Sequence, residues 1–220
     1  MNRGQIRALS RKILGETTSA FWTDDELNLY INLGGQDLAD KTKCIRTNAY
    51  LNITENQSEY SLSSNFTDLI SVLEVYFFQD GSNWQKLDST SRTRLDIEHP
   101  GWLSAEAGTP TEYYEDIEED VIRFYTKPNA ANSGNNYARI FYCKKFSEMN
   151  SDAESPSGIS NDLQLAIVDF VSAYGFQQRG WGDKANDSWN KYYARIKDYM
   201  VERRREKEDY QIVMKNYRNV

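Results

Sequence analysis

The hydrophobic period of this chain changes twice, and that constrains its fold more than any single motif. From residue 5 to about residue 41, apolar side chains recur at helical spacing: Ile6, Leu9, Ile13 and Leu14, then Leu27, Tyr30, Ile31 and Leu38. Near Arg46 the pattern shifts to alternation. Leu51 and Ile53 are separated by a polar residue, and 69–78 is rich in Ile, Val, Tyr and Phe, which suit a pleated surface. After 158 the helical period returns with Leu163, Ile167, Phe170, Val171 and Tyr174, then Trp189, Tyr192, Tyr193, Ile196, Tyr199 and Met200. Two helices at either end cannot each bury a face alone, whereas four together can. The expected fold is therefore α+β: a helical bundle from 1–45 and 159–220, with an antiparallel β domain inserted at 46–158. Three units in series is the other arrangement this order allows.

Local punctuation sharpens the boundaries. Thr23, Asp24, Asp25 and Glu26 spell a capping box, with Trp22 placed to staple onto Leu27. Asp80, Gly81, Ser82 and Asn83 read as a hairpin turn. A short helix is expected over 89–96, strands over 112–115, 121–125 and 137–146, a loop over 129–136, and a polar linker over 147–158. Ser160 or Asn161 caps the next helix, which stops at Gly180, Trp181 and Gly182. The last helix, if it runs from Asp183 to about Arg218, spans roughly 50 Å at 1.5 Å per residue. That is more than a small domain needs, so its end is expected to project.

At 220 residues the chain is long enough to bury a core in one domain or two small ones. Lys and Arg number 26 against 33 Asp and Glu, a net charge of -7. That disfavours general binding to duplex DNA, which depends on neutralising phosphates. The charge is uneven. Residues 46–158 hold 9 basic and 18 acidic side chains, and the remainder holds 17 and 15, so the net negative charge lies in the expected β domain. No run approaches the roughly 20 apolar residues that span a bilayer. The polar stretch 1–11 lacks the apolar segment of a signal peptide. Cys44 and Cys143 read as reduced thiols.

Chemistry is sparsely marked. There is no Gly-x-Ser-x-Gly elbow, no phosphate-cradling glycine loop and no Cys/His cluster at metal-ligand spacing. No enzymatic activity, cofactor or metal is expected. His99, beside Pro100, reads as a solvated loop residue. The competing arrangement is a thiol enzyme pairing His99 with Cys44 or Cys143, but Cys143 fits better as a small buried thiol among strand aromatics. Glu112, Glu115, Asp116, Glu118, Glu119 and Asp120 form the sharpest acidic run. They are either oxygen ligands for a divalent cation or a solvated hairpin tip, and they lack the glycine and distal Glu of an EF-hand loop. The 15 Tyr, 9 Phe and 5 Trp serve core and interface or make a stacking platform for sugars or bases, with Trp84 and Trp102 as its candidates. At the C-terminal end, 202–209 mixes both charges as an exposed helix does. Tyr210, Ile212, Val213, Met214 and Tyr217 follow it as an apolar group. That group either docks into a partner groove or folds back on the bundle.

Several motifs, in order, resemble one family. They are Phe21, Trp22, Thr23, Asp24, Asp25, Glu26 and Leu27, then Tyr30, Ile31 and Asn32; Tyr60, Ser61, Leu62, Ser63, Ser64, Asn65 and Phe66; and the strand from Ile70 to Tyr76. Leu87-Asp88, Leu95-Asp96 and Pro100-Gly101-Trp102 follow, then Gly108, Thr109, Pro110, Thr111, Glu112, Tyr113 and Tyr114 as a Gly-x-Pro-x-x-Tyr element. A strand from Ile122 ends at Lys127-Pro128, and Ile159, Ser160, Asn161 and Asp162 lead into a helix. Together these resemble the head-to-tail adaptors of tailed bacteriophages, including the tail tubular protein A type. Ser63 stands where the family more often has a proline after Tyr-x-Leu.

The resemblance implies a structural virion protein at the head–tail interface, made in the host bacterial cytoplasm. It implies a homo-oligomeric ring, usually of about twelve copies, that sits below the portal protein and connects it to tail or nozzle proteins. Genomic DNA would pass through without specific binding, and no membrane is involved. Portal-binding residues would then lie in the C-terminal segment: Arg203, Arg204, Arg205, Tyr210, Ile212, Val213, Met214 and Tyr217. Glu115, Asp116, Glu118, Glu119 and Asp120 would face the channel, where acidity repels phosphates and lets duplex slide. The alternative function is a carbohydrate- or nucleotide-binding module built on aromatics of the β domain.

Overall fold

The computed structural model describes residues 1–16, 18–79 and 82–217, with 206–217 described by backbone alone. In chain order it contains α1 (Arg3–Leu14), α2 (Asp24–Thr42), β1 (Arg46–Ile53), β2 (Glu59–Ser61), the single turn α3 (Leu62–Asn65), β3 (Leu69–Gln79), β4 (Asn83–Lys86) and β5 (Asp88–Ser89). Then come α4 (Arg92–Glu98), β6 (Glu112–Asp116), β7 (Val121–Tyr125), β8 (Gly134–Lys144), α5 (Asn161–Gln178) and α6 (Gly182–Tyr217), with short 3-10 turns at Trp102–Ser104 and Ala130–Asn132. The fold is α+β. The chain divides into two compact units, Met1–Ile45 with Phe146–Val220, and Arg46–Lys145.

In the helical unit, local chemistry sets the helix ends. Thr23 Oγ1 accepts from the Glu26 N–H at 3.2 Å, and the Glu26 carboxylate accepts from the Thr23 N–H at 2.9 Å. Trp22 and Leu27 are both fully buried in one cluster, at the two staple positions of that capping box. Asn2 and Gln5 form a second capping box, so α1 starts two residues earlier than the apolar spacing indicates. Ser160 occupies the cap position of α5 but makes no side-chain cap bond. Helix α5 lies in the middle of the bundle against α1, α2 and α6. It is buried nearly all round, with Ala166, Ile167, Val171 and Ala173 inaccessible.

Two glycines of α2 let large rings approach its backbone. A Cβ on Gly34 would lie 2.9 Å from Phe170 Cδ1, and one on Gly35 would lie 2.6 Å from Phe146 Cε1. Any side chain there would overpack the core.

Residues 146–158 sit with the helices, whereas the sequence reading placed them in the β domain. Phe146, Met149 and Ile159 are buried in the helical core. The Arg3 N–H donates to Glu154 O at 2.7 Å, and the Gly4 N–H to Asp152 O at 3.1 Å. The Arg3 and Arg7 guanidiniums both hold the Asp152 carboxylate. Widely spaced apolar anchors carry no period, which is why this stretch reads as a linker.

The Arg7 hydrogen bond, reinforced by Arg3 and opposed by desolvation, holds the Asp152 carboxyl below its usual 3.8. A depressed carboxyl contributes stability above its unfolded pKa and loses it as pH falls through the folded one. Above about pH 5 the wild type and Asp152→Asn should differ by a constant amount; as pH falls below about 4 the wild type's melting temperature should drop more steeply, and the two curves should converge in stronger acid. Parallel curves would show that this contact contributes nothing to acid sensitivity.

The β unit has two four-stranded sheets, ordered β1-β8-β3-β4 and β2-β7-β6-β5. All pairings are antiparallel except β5 with β6. The inner faces share one buried cluster that includes Leu51, Val75, Phe77, Ile122, Phe124 and Ile140. Several local expectations shift. Asp88 and Ser89 pair with β6, so the short helix begins at Arg92, capped by Ser91. Leu62 starts a helical turn because Ser61 Oγ accepts from the Ser64 N–H. Residues 134–136, read as loop, join β8. Strands β3 and β4 pair on either side of the expected hairpin turn, of which Asp80 and Gly81 lie outside the described residues. Among the described residues, no helix is long and apolar enough to cross a membrane.

Candidate functional site

Helix α6 is 36 residues long and its neighbour α5 is 18. At 1.5 Å per residue α6 is about 54 Å long, roughly twice the length of α5. Its first half is well anchored. Trp189 and Tyr192 pack edge-on against Phe170 at 5.3 and 5.4 Å between ring centroids. The Tyr192 hydroxyl donates to Asp37, and burial first, then that carboxylate, pushes the phenol pKa well up. Arg195 Nε donates to Asp169 Oδ2 at 2.6 Å.

The anchoring extends to Arg203, whose Nη1 donates to Thr42 O at 2.6 Å and Lys43 O at 3.0 Å. Arg203 thus serves the C-terminal carbonyls of α2, a site that favours a cation. It was expected on the portal face, but its guanidinium is engaged within its own unit. Arg204 and Arg205 are exposed. Tyr210, Ile212, Val213, Met214 and Tyr217 fall on the backbone continuation of α6, and their side chains lie outside the described residues.

The acidic run sits on the β6–β7 hairpin, and most of its carboxylates have local partners. Asp120 at φ 57 accepts from the Ser63 N–H and the Ser61 and Ser63 hydroxyls, which hold its carboxyl below the usual range. Glu119 pairs with Arg123 at 3.2 Å, Asp116 accepts the Glu119 N–H at 3.0 Å, and Glu115 accepts the Val72 N–H at 2.9 Å. Glu118 is exposed. Beside them, burial disfavours the Arg123 charge, but its bonds to Tyr114 and Glu59 outweigh that and raise its pKa. These acids fasten the hairpin to its neighbours, so only part of the run is available to solvent.

The outer face of the β1-β8-β3-β4 sheet is aromatic. Trp84 (43% exposed) lies 6.0 Å from Tyr50 (50% exposed) and 5.2 Å from Phe78. Phe78 meets Tyr137 at 5.5 Å, and the Arg139 guanidinium stands 5.6 Å over Tyr50 and 4.9 Å over Phe141. Trp102, the other expected platform residue, is only 6% exposed and donates its indole N–H to Asp96 at 2.8 Å. It packs with Leu95 and Tyr114 under α4 and is not a stacking surface. The sequence marked Trp84, but the alternation that gathers its neighbours onto one face depends on strand register.

His99 is not a freely solvated loop residue. Its ring stacks on Tyr125 at 4.4 Å with the planes 26° apart, and its Nε2 lies 3.6 Å from Glu112 Oε1. Cys143 is buried in β8 and neither cysteine forms a disulfide.

Against known proteins, the model of the SU10 adaptor protein family matches residues 1–214. A chain from the neck of an empty GTA particle computed with C6 symmetry is similar at 13% identity, over 79% of this chain and 77% of that one. Its TM-score of 0.29 is too low to add to the argument. Axial budding pattern protein 2 of Saccharomyces cerevisiae is 38% identical over 81 residues, 36% of this chain. The chain spans only 10% of that relative.

Proposed function

The chain belongs to the SU10 adaptor protein family; from that premise we propose that it is a structural head-to-tail connector of a bacteriophage particle that closes into a ring below the portal, with 210–220 docked on the portal protein. The observation that carries the docking part is the length of α6, which continues to Tyr217 after its last described anchor at Arg203. A helix end that outruns its own bundle is suited to laying an apolar face in a partner's groove. The ring is head-to-tail, about twelve copies closing by rotation, with tail or nozzle proteins on its far side. DNA passes through it without specific contacts, and Glu118 with the solvent-facing part of the hairpin adds repulsion toward phosphates. The protein is made in the bacterial cytoplasm and has no catalytic role.

The test is light scattering after size exclusion, with the chain alone and mixed with portal from the same genome. A ring-sized complex should appear in the mixture. Deleting 210–220 should abolish it while leaving circular dichroism nearly unchanged. Exchanging Arg204 and Arg205 for Ala probes the basic run without disturbing the α2 cap that Arg203 provides. Normal portal binding by the truncated chain would overturn the docking assignment.

The aromatic face around Trp84 supports a second reading, a surface that stacks carbohydrate or nucleobase rings. Tryptophan fluorescence titration with glycans and oligonucleotides tests it, and the absence of any saturable change removes it.

A further inference from the structure

Glu98, His99 and Glu112 converge on the outer face of the β2-β7-β6-β5 sheet, and we propose that they bind a first-row divalent metal ion. One ligand atom from each residue lies within 4.8 Å of the other two. The separation of 3.6 Å between His99 Nε2 and Glu112 Oε1 is too long for a hydrogen bond. It matches the edge of a coordination tetrahedron, which is about 3.4 Å for metal–ligand bonds of about 2.1 Å.

A second observation points to a cation. Glu112 Oε2 is buried and accepts no hydrogen bond among the described residues. A buried carboxylate oxygen without a donor is unfavourable, and a bound cation would satisfy it.

The ligands are held in place from outside. Tyr125 fixes the plane of the His99 ring, the backbone N–H of His99 donates to Leu95 O at 2.9 Å and so fixes the main chain at the end of α4, and Arg94 Nε donates to Glu98 Oε2 at 2.9 Å. An outer hydrogen bond such as the one from Arg94 orients a metal-ligating carboxylate. One imidazole nitrogen with carboxylate oxygens suits Zn2+ or its first-row neighbours. Ca2+ prefers six to eight oxygens, and Cu(I) prefers sulfur. His99 is 35% exposed at its side chain, so water completes the coordination. The bound ion would tie the end of α4 to β6. The site is independent of whether the chain forms a ring.

Equilibrium dialysis of the full chain against Zn2+ alone, with metal measured by atomic emission, tests this. The wild type should take up zinc saturably, and Glu112→Gln and His99→Gln should each weaken binding at least about tenfold. Zinc should raise the melting temperature of the wild type and not of either variant. In metal-free buffer Glu112→Gln should melt higher than the wild type, because it removes a carboxylate whose buried Oε2 accepts no hydrogen bond among the described residues, and zinc should reverse that order. Circular dichroism reports folding; if Glu112→Gln does not fold, His99→Gln decides. No zinc uptake by the wild type, or unchanged uptake by the folded variants, would overturn the proposal.

Discussion

Phe170→Ala should lower the unfolding free energy of the helical unit by about 3–5 kcal/mol. Phe170 lies in α5, 4% exposed, with Tyr174, Trp189 and Tyr192 all within 5.4 Å between ring centroids. Its ring also faces the α2 backbone at Gly34, where no side chain can move in to fill the space. Removal therefore loses both transfer energy and contacts that three surrounding rigid rings cannot restore. Urea unfolding followed by circular dichroism measures the change. A loss below about 1 kcal/mol would mean that the aromatic cluster collapses into the cavity.

Arg11→Met should be of similar size, about 3–5 kcal/mol, for an electrostatic reason. The Arg11 and Glu16 side chains are each 8% exposed, and Arg11 Nη1 lies 3.3 Å from Glu16 Oε2. Arg11 Nη2 donates to Asp24 Oδ1 at 2.6 Å. Asp24 is half exposed and can be rehydrated, whereas Glu16 is left as a buried charge. Glu16 also accepts the Phe21 N–H at 2.8 Å, so Gln in its place keeps an acceptor there. Arg11→Met combined with Glu16→Gln should recover most of the loss, and a double-mutant cycle measures the coupling. Equal destabilisation in single and double variants would assign the cost to lost packing of the arginine stem instead.

The candidate surfaces were unevenly legible. The overlong last helix could be read from spacing alone, as could the acidic hairpin between two strands. The role of Arg203 could not, because its acceptors at Thr42 and Lys43 lie about 160 residues away in sequence. Trp84 and Trp102 look alike as residue types. One faces out beside Tyr50, and the other is covered by Leu95 and Tyr114. His99 and Glu112 belong to no spacing motif; they meet because β6 pairs with β7 and places Glu112 opposite Tyr125, on which His99 stacks.

By itself the sequence determined what depends on a few neighbouring residues. This covers the two changes of hydrophobic period, the Thr23–Glu26 cap, the hairpin between β6 and β7, and the order of the long helices and strands, though not the short α3 and β5. Hydrogen-bond geometry and side-chain periodicity act within a turn or a strand, so these features need no partner from elsewhere. Tertiary structure decided what depends on register and burial. It drew residues 146–158 into the helical unit through Phe146, Met149 and Asp152, turned Arg203 onto the end of α2, buried Trp102, and brought His99 beside Glu112. The physical reason is the same in each case. A long-range contact forms only once the backbone of both partners is fixed, and one shift of strand register or helix rotation would put a different residue in its place.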